Sequence, residues 1–162
     1  MKTSIKFLLT LCLLLIGLVN SAQNSNTFRL TDINVVQGQT LELKDNQVLC
    51  TFARVLINAE TIKTIDSIVD FLNNNPKVSI EIAVHSDQRG SAEANLSMTQ
   101  KRAQSFKFQI CQRGSIDCNR IIAKGYGEEK PIIPLNEILK LPKLERDSLY
   151  QINRRFEIII VK

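Results

Sequence analysis

The sequence predicts a single α/β domain, a sandwich in which two main helices pack on one face of a mixed four-stranded sheet. Three observations lead there. Stretches of period-two apolar alternation and of helical period follow one another as strand, helix, strand, helix, strand, loop and strand. No internal repeat or low-complexity tract breaks that order. The chain has 162 residues, 44% of them hydrophobic, which is enough for one domain and its core after an export segment is removed.

That export segment comes first. Met1-Lys2-Thr3-Ser4-Ile5-Lys6 is basic, Phe7 to Val19 is almost wholly apolar, and Asn20-Ser21-Ala22 offers small residues before Gln23. This is the three-part layout of a secretory signal peptide, and the apolar run falls short of the ~20 residues of a comfortable membrane span. Residues 1–22 are therefore expected to be a signal peptide, cleaved after Ala22 or Ser21; an uncleaved anchor is the other reading. Cys12 follows Leu11 and is itself followed by more apolar residues. That context does not suit lipid attachment, so Cys12 is read as part of the discarded segment.

The elements then follow in order. Residues 23–27 are polar and expected to be disordered. Phe28 to Leu43 is strand-like, with a turn at Gln37-Gly38-Gln39 and alternation through Thr40-Leu41-Glu42-Leu43. Residues 23–45 thus read as an N-terminal extension whose short strands add to one edge of the sheet. After the break at Lys44-Asp45-Asn46, Gln47 to Phe52 reads as a central strand. Asn58 can cap a helix carrying Ile62, Ile65, Ile68, Val69 and Leu72 on one face, stopped by Asn73-Asn74-Asn75-Pro76. Val78, Ile80 and Ile82 alternate with polar residues, giving a strand over 77–84, and 85–94 is a loop. A second helix is expected from Asn95 to Gln112, with Met98, Ala103, Phe106 and Ile110 inward. Arg120 to Lys124 and Phe156 to Val161 are the remaining strands, and a short helix is expected around 143–150 in the proline-bearing connection.

Charge and cysteines narrow the function. Loss of residues 1–22 removes Lys2 and Lys6 and lowers the formal charge from +5 to +3. That mild basicity, with aromatics at 6% of the chain, does not provide the basic face and stacking rings that nucleic-acid binding wants. No nucleic-acid partner is expected. Cys111 ends a helical pattern and Cys118 precedes a strand across the Gly114 turn. In an oxidising compartment a bridge between them is expected, worth about 2.5 kcal/mol on chain-entropy grounds; two free core thiols are the alternative. Cys50 is read as a buried, reduced thiol.

Catalysis has little to stand on. His85 is the only histidine, and His85-x-Asp87 supplies two potential metal ligands where three or four are needed. No Gly-x-Ser-x-Gly elbow exists, and Gly125-x-Gly127 lacks the third glycine and the lysine of a phosphate loop. No catalytic residue, metal or cofactor is expected, and the chain is not read as an enzyme. Binding is the stronger reading. Asp87 lies just past a strand end, where ligands commonly sit in α/β sheets, and Arg102 lies about two turns past Asn95. An arginine fork takes a carboxylate in two parallel bonds and an aspartate takes an ammonium, so the pair suggests a site for a zwitterion. An ordinary structural ion pair between Asp87 and Arg102 is the other reading.

The pattern around these residues resembles the OmpA-like domain, the peptidoglycan-binding module of outer-membrane protein A and of peptidoglycan-associated lipoproteins. The family pattern Gly-His-Thr-Asp-x-x-Gly is similar to Val84-His85-Ser86-Asp87-Gln88-Arg89-Gly90. Its Asn-x-x-Leu-Ser-x-x-Arg-Ala block is similar to Asn95-Leu96-Ser97-Met98-Thr99-Gln100-Lys101-Arg102-Ala103. Gly125-Tyr126-Gly127-Glu128 with Pro131, and Asn153-Arg154-Arg155-Phe156-Glu157, match later blocks, so the likeness covers roughly 46–162.

The resemblance implies non-covalent capture of the diaminopimelate residue of the wall's peptide stem. The protein would then be secreted to the periplasm, with outer-membrane association left open, and would tether or organise the cell envelope. It gives Asp87 the contact to the ligand's charged terminus, Arg102 the carboxylate fork, Arg154 a supporting guanidinium and Asn95 a shaping role. His85 and Gly90 would support the loop. The sequence departs from the family at Val84, Ser86, Met98 and Thr99, and Phe52-Ala53-Arg54-Val55 lacks the acidic residue of the first-strand signature. A scaffold that keeps the fold and binds an envelope or outer-membrane protein, without wall affinity, is the alternative that these departures keep open.

Overall fold

A computed structural model of the protein describes residues 27–43 and 47–162. The expected signal peptide, its cleavage site, Cys12, the polar residues 23–26 and the Lys44-Asp45-Asn46 break lie outside them. Thr27, grouped with the polar stretch in the sequence, makes a parallel bridge to Thr40.

Side-chain alternation builds the sheet. Strands β1 (Thr40–Leu43), β2 (Ile80–His85), β3 (Ile121–Gly127) and β4 (Phe156–Ile160) lie in the order β1-β4-β2-β3. β2 and β3 are parallel, while β4 runs antiparallel to both β1 and β2. Ile80, Ile82, Val84, Ile121, Phe156, Ile158 and Ile160 enter the core from one face. The intervening Glu81, Lys124, Tyr126 and Glu157 point to the other, as a period of two requires.

Two long helices, α1 (Ala59–Asn74) and α2 (Ala92–Arg113), cover the core face. The Asn58 side chain caps α1 by accepting from Thr61 N at 2.8 Å. Arg120 closes the other end of α1, donating to the carbonyls of Leu72 at 2.9 Å and Asn75 at 2.6 Å. α1 buries Ile65, Ile68, Phe71 and Leu72, and α2 buries Ala103, Phe106 and Ile110. Each large apolar side chain so buried contributes roughly 1.5–3 kcal/mol. Phe71 was not among the core positions read from the sequence, and Met98, which was, is only half-buried. Two short helices, α3 (Leu135–Ile138) and α4 (Arg146–Asn153), lie in the connection from β3 to β4.

Three expectations need correction. Residues 47–52 do not form a central strand; the segment folds back on itself, with Leu56 N donating to Leu49 O at 2.7 Å and Thr51 N to Arg54 O at 2.9 Å. Only an isolated bridge, Cys50 to Val55, remains. The place beside β4 goes to Thr40–Leu43, which sets Leu41 opposite Ile158 and Leu43 opposite Phe156. The N-terminal strand is therefore one of the four, an edge of the sheet itself. Residues 28–39 are turns and irregular backbone. α2 also begins three residues ahead of Asn95, because Ser91 Oγ accepts from Ala94 N at 3.2 Å and caps it there.

α2 and β3 meet backbone to backbone. A Cβ on Gly125 would run into the backbone of Thr99 and Gln100. The outward groups of β3 bond to α2 side chains: Gln100 Nε2 donates to Ala123 O at 3.1 Å and Gln100 Oε1 accepts from Gly125 N at 2.8 Å. Thr99 Oγ1 accepts from Gly127 N at 2.9 Å, and Lys107 Nζ donates to Ile121 O at 2.6 Å. Cys111, late in α2, is disulfide-bonded to Cys118 just before β3. Cys50 is free and only half-buried, less enclosed than the buried thiol expected, and that burial pushes its thiol up to about 11.

Gly125→Ala should lower stability by about 3 kcal/mol or more, because neither backbone can retreat without unseating the helix. Gly38, at φ +88° with open space around it, should lose only about 1–2 kcal/mol on the same change. Urea unfolding of the two variants checks the contrast. Non-reducing mass spectrometry of the exported chain should find Cys111 joined to Cys118 and Cys50 as a slowly alkylated thiol. A dimer linked through Cys50 would contradict this.

Candidate ligand-binding site

The end of β2 delivers Ser86 and Asp87 to a loop that backbone bonds hold on both sides. His85 N donates to Arg155 O at 3.0 Å and Ser86 N to Gly127 O at 2.8 Å. Gly90 turns the loop at φ +101°, a conformation that favours glycine. Asn95, in the first turns of α2, ties the loop down: its Nδ2 lies 3.2 Å from Asp87 O, 3.1 Å from Arg89 O and 2.6 Å from Glu128 Oε2.

Asp87 is buried to 6% exposure and is met by two guanidiniums. Arg154 Nη1 donates to its Oδ2 at 2.6 Å and Arg89 Nη2 to the same oxygen at 2.9 Å. Arg89 Nε lies 3.3 Å from Oδ1, and Arg89 backbone N donates to that oxygen at 2.9 Å. Burial pushes the Asp87 carboxyl up, but the hydrogen bonds from Arg89 and Arg154 outweigh it and hold the group below its ordinary range.

Arg102, two turns past Asn95 on α2, reaches the folded-back segment and donates Nη2 to Thr51 O at 3.1 Å. Its Nε is buried without a partner among the described residues. An open groove of about 390 Å³ lies between these groups, lined by Phe52, Asp87, Asn95, Met98, Arg102 and Arg154. Phe52 is 75% exposed and gives the groove an apolar wall.

The structure thus brings Asp87, Gly90, Asn95, Arg102 and Arg154 to one groove. Among the described residues Asp87 and Arg102 make no ion pair with each other, so the reading of them as a mutual structural pair is set aside. His85 is elsewhere. Its ring stacks on Tyr126 at 5.1 Å on the sheet face away from the helices, and Nε2 lies 3.3 Å from Glu157 Oε2. At the end of β2 it also borders a smaller cavity of about 260 Å³, lined by Leu43, Cys50, Arg102, Arg154 and Phe156 among others. The contact from His85, acting against burial and aided by the Arg155 bond at 2.7 Å, draws the Glu157 carboxyl down to about 2.

Arg89 and Glu128 were given no role by the sequence, although both stand inside the quoted blocks. Arg89 is two residues from Asp87, the spacing at which a loop side chain can fold back onto a carboxylate. Glu128 follows Gly127, whose φ of +54° turns the chain toward Asn95. No cue in the sequence pointed to Thr51, which meets Arg102 only because 47–56 reverses direction. Among the described residues no group of His, Cys, Asp and Glu side chains gathers to hold a metal.

Comparison with known proteins decides the family, since residues 52–139 match the OmpA family. The chain belongs to the OmpA family. It is 30% identical over 95 residues to the peptidoglycan-associated lipoprotein of Pasteurella multocida, covering 59% of this chain and 63% of that one. It is 35% identical over 77 residues to the protein of that name from Brucella melitensis, covering 48% and 45%. The chain therefore spans less than two-thirds of these curated relatives. Among solved structures, the periplasmic domain of Helicobacter pylori MotB matches with a TM-score of 0.58 at 20% identity, covering 80% of this chain and 79% of that one. The peptidoglycan-associated lipoprotein of Burkholderia pseudomallei matches with a TM-score of 0.54 at 19% identity, covering 75% and 88%. Both carry the fold of this OmpA-family domain.

The Glu157 cluster makes a pH prediction. Its folded-state carboxyl, at about 2, lies below the ordinary 4.5. The stability it contributes is therefore complete above the ordinary value and is lost as pH falls from there toward 2. Glu157→Gln should cost about 1–3 kcal/mol at neutral pH and much less near pH 2. Urea titrations at the two pH values check this; an equal loss at both would sink the assignment.

Proposed function

We propose that this groove binds peptidoglycan non-covalently through the diaminopimelate residue of the peptide stem, in the periplasm, and so tethers or organises the cell envelope. One observation carries the reading: Asp87, Asn95, Arg102 and Arg154 converge on a single groove, with a carboxylate at one place and, at another, a guanidinium that meets no carboxylate among the described residues. The relatives named peptidoglycan-associated lipoprotein support the ligand class.

The chemistry is recognition without bond-making. Arg102 offers a fork to the ligand's carboxylate. Asp87 takes the ammonium, and Arg154 holds that carboxylate in position. Asn95 fixes the loop carrying Asp87 to the start of α2, which sets the spacing between the two charges. Phe52 and Met98 supply a wall for the aliphatic chain between them. Because each charge is taken from water only when its opposite is present, a zwitterion of the right length is favoured over either half alone. No reacting group is needed.

The second reading, a scaffold for an envelope protein, draws support from the β3–β4 connection. Leu139 and Leu144 are exposed there, Leu144 at 97%.

Co-sedimentation with purified cell-wall sacculi tests the first reading. The exported chain should pellet with sacculi and be released by free diaminopimelate. Asp87→Ala and Arg102→Ala should each lose about 2–5 kcal/mol of binding while staying folded. Arg154→Ala should lose less, and Arg113→Ala, whose partner Asp66 lies on α1, should bind as the parent does. Failure to pellet at low salt favours the scaffold, and equal losses from Arg113 and Arg102 would reduce the binding to diffuse electrostatics.

A further inference from the structure

Asp87 is already engaged by the protein's own cations. A carboxylate has about four acceptor positions, and the Arg89 backbone N, Nε and Nη2 together with Arg154 Nη1 fill them. An incoming ammonium carries three donors and no acceptor. It cannot share that carboxylate without removing a guanidinium.

The two guanidiniums are held differently: Arg154 by one bond, Arg89 by Nε to both Asp87 oxygens at 3.3 and 3.2 Å and by Nη2 at 2.9 Å. The Arg154 side chain is 34% exposed and makes the shorter bond, 2.6 Å. The Arg89 side chain is 51% exposed and sits on the loop whose next residue, Gly90, is at φ +101°. Arg89 also has somewhere else to rest: Nη1 donates to Asp147 Oδ1 at 3.0 Å, and its guanidinium lies 4.8 Å from the centre of the Tyr150 ring. Both of those partners belong to α4. Leaving Asp87 therefore does not strand the Arg89 charge.

We propose that Arg89 is a displaceable internal cation: it competes with a ligand's ammonium for Asp87 and thereby raises the binding energy that any amine must supply to occupy the groove. This rests on the reading of Asp87 as an ammonium site. A plain amine gains only the Asp87 contact and must evict Arg89 to make it. A zwitterion gains the Arg102 contact as well, and that second contact offsets the eviction. Arg89 thus lowers affinity for every amine, as any closed state does in proportion to its population. What it confers is a threshold: an amine with the Asp87 contact alone stays unbound at concentrations where a zwitterion, with the Arg102 contact as well, still binds.

The test uses three probes in NMR shift titrations of the exported chain: free diaminopimelate, 1,5-diaminopentane with its amines alone, and pimelate with its carboxylates alone. In Arg89→Gln, diaminopimelate should bind roughly threefold to tenfold more tightly. Diaminopentane should gain by a similar factor, and pimelate should not gain. Adding Asp87→Asn should abolish both gains. Equal weakening of diaminopimelate and pimelate in Arg89→Gln would make Arg89 a carboxylate contact and overturn the proposal. So would an unchanged diaminopentane affinity, or a gain that survives Asp87→Asn. Sacculus binding by the parent chain is scored separately. If it fails while Arg89→Gln still gains diaminopentane at Asp87, wall recognition falls and the internal competitor stands.

Discussion

The contact between α2 and β3 at Gly125 is the constraint on which the groove depends. Thr99 and Gln100 lie against the strand with no room for a side chain between, so α2 can neither roll nor slide on the sheet. Asn95 and Arg102 sit on either side of that contact along one helix. Their positions relative to Asp87, which hangs from the neighbouring strand β2, are set by this single approach. The close packing of α2 on β3 is thus also the mechanism by which a carboxylate and a guanidinium from separate elements are kept at a defined spacing.

Polar organisation differs on the two faces of the sheet. Toward the helices the charged groups stand at the rim, around Asp87. On the other face Glu157 accepts from Arg155, approaches His85, and lies near the stacked Tyr126, whose hydroxyl donates to Glu81 at 2.7 Å. Arg155 also donates to Asn153 O at 3.3 Å and Lys130 O at 3.2 Å, so the segment after β3 is fastened to the sheet by a buried guanidinium. Adjacent residues Arg154 and Arg155 therefore do opposite jobs: one faces the groove and the other anchors the connection.

What could be read from the sequence was whatever local chemistry decides. Asn58 marked the start of α1, alternation marked β2 and β4, and the spacing of Asp87, Asn95 and Arg102 marked one groove. The start of α2 was misplaced because the capping role of Ser91 was passed over in a polar stretch taken for loop. The edge strand was misassigned because a short apolar run such as Val48–Phe52 carries no information about its partner. Only the register of Leu41 and Leu43 against Ile158 and Phe156 distinguishes the true strand, and register is a tertiary property. The second resting place of Arg89, on Asp147 and Tyr150, was equally invisible, because α4 lies some sixty residues further along the chain.

The side-chain ladder from α2 onto the outer margin of β3 has a bearing on self-association. Gln100, Thr99 and Lys107 make there the bonds that an adjoining strand from another molecule would make. A β-sheet with free amides and carbonyls along its border is a template for cross-molecular growth. Here one border is occupied by a helix that cannot be pried off without disturbing the groove, and the other is a strand of four residues already bridged by Thr27. The helix that carries Asn95 and Arg102 thus also closes the sheet against cross-molecular growth.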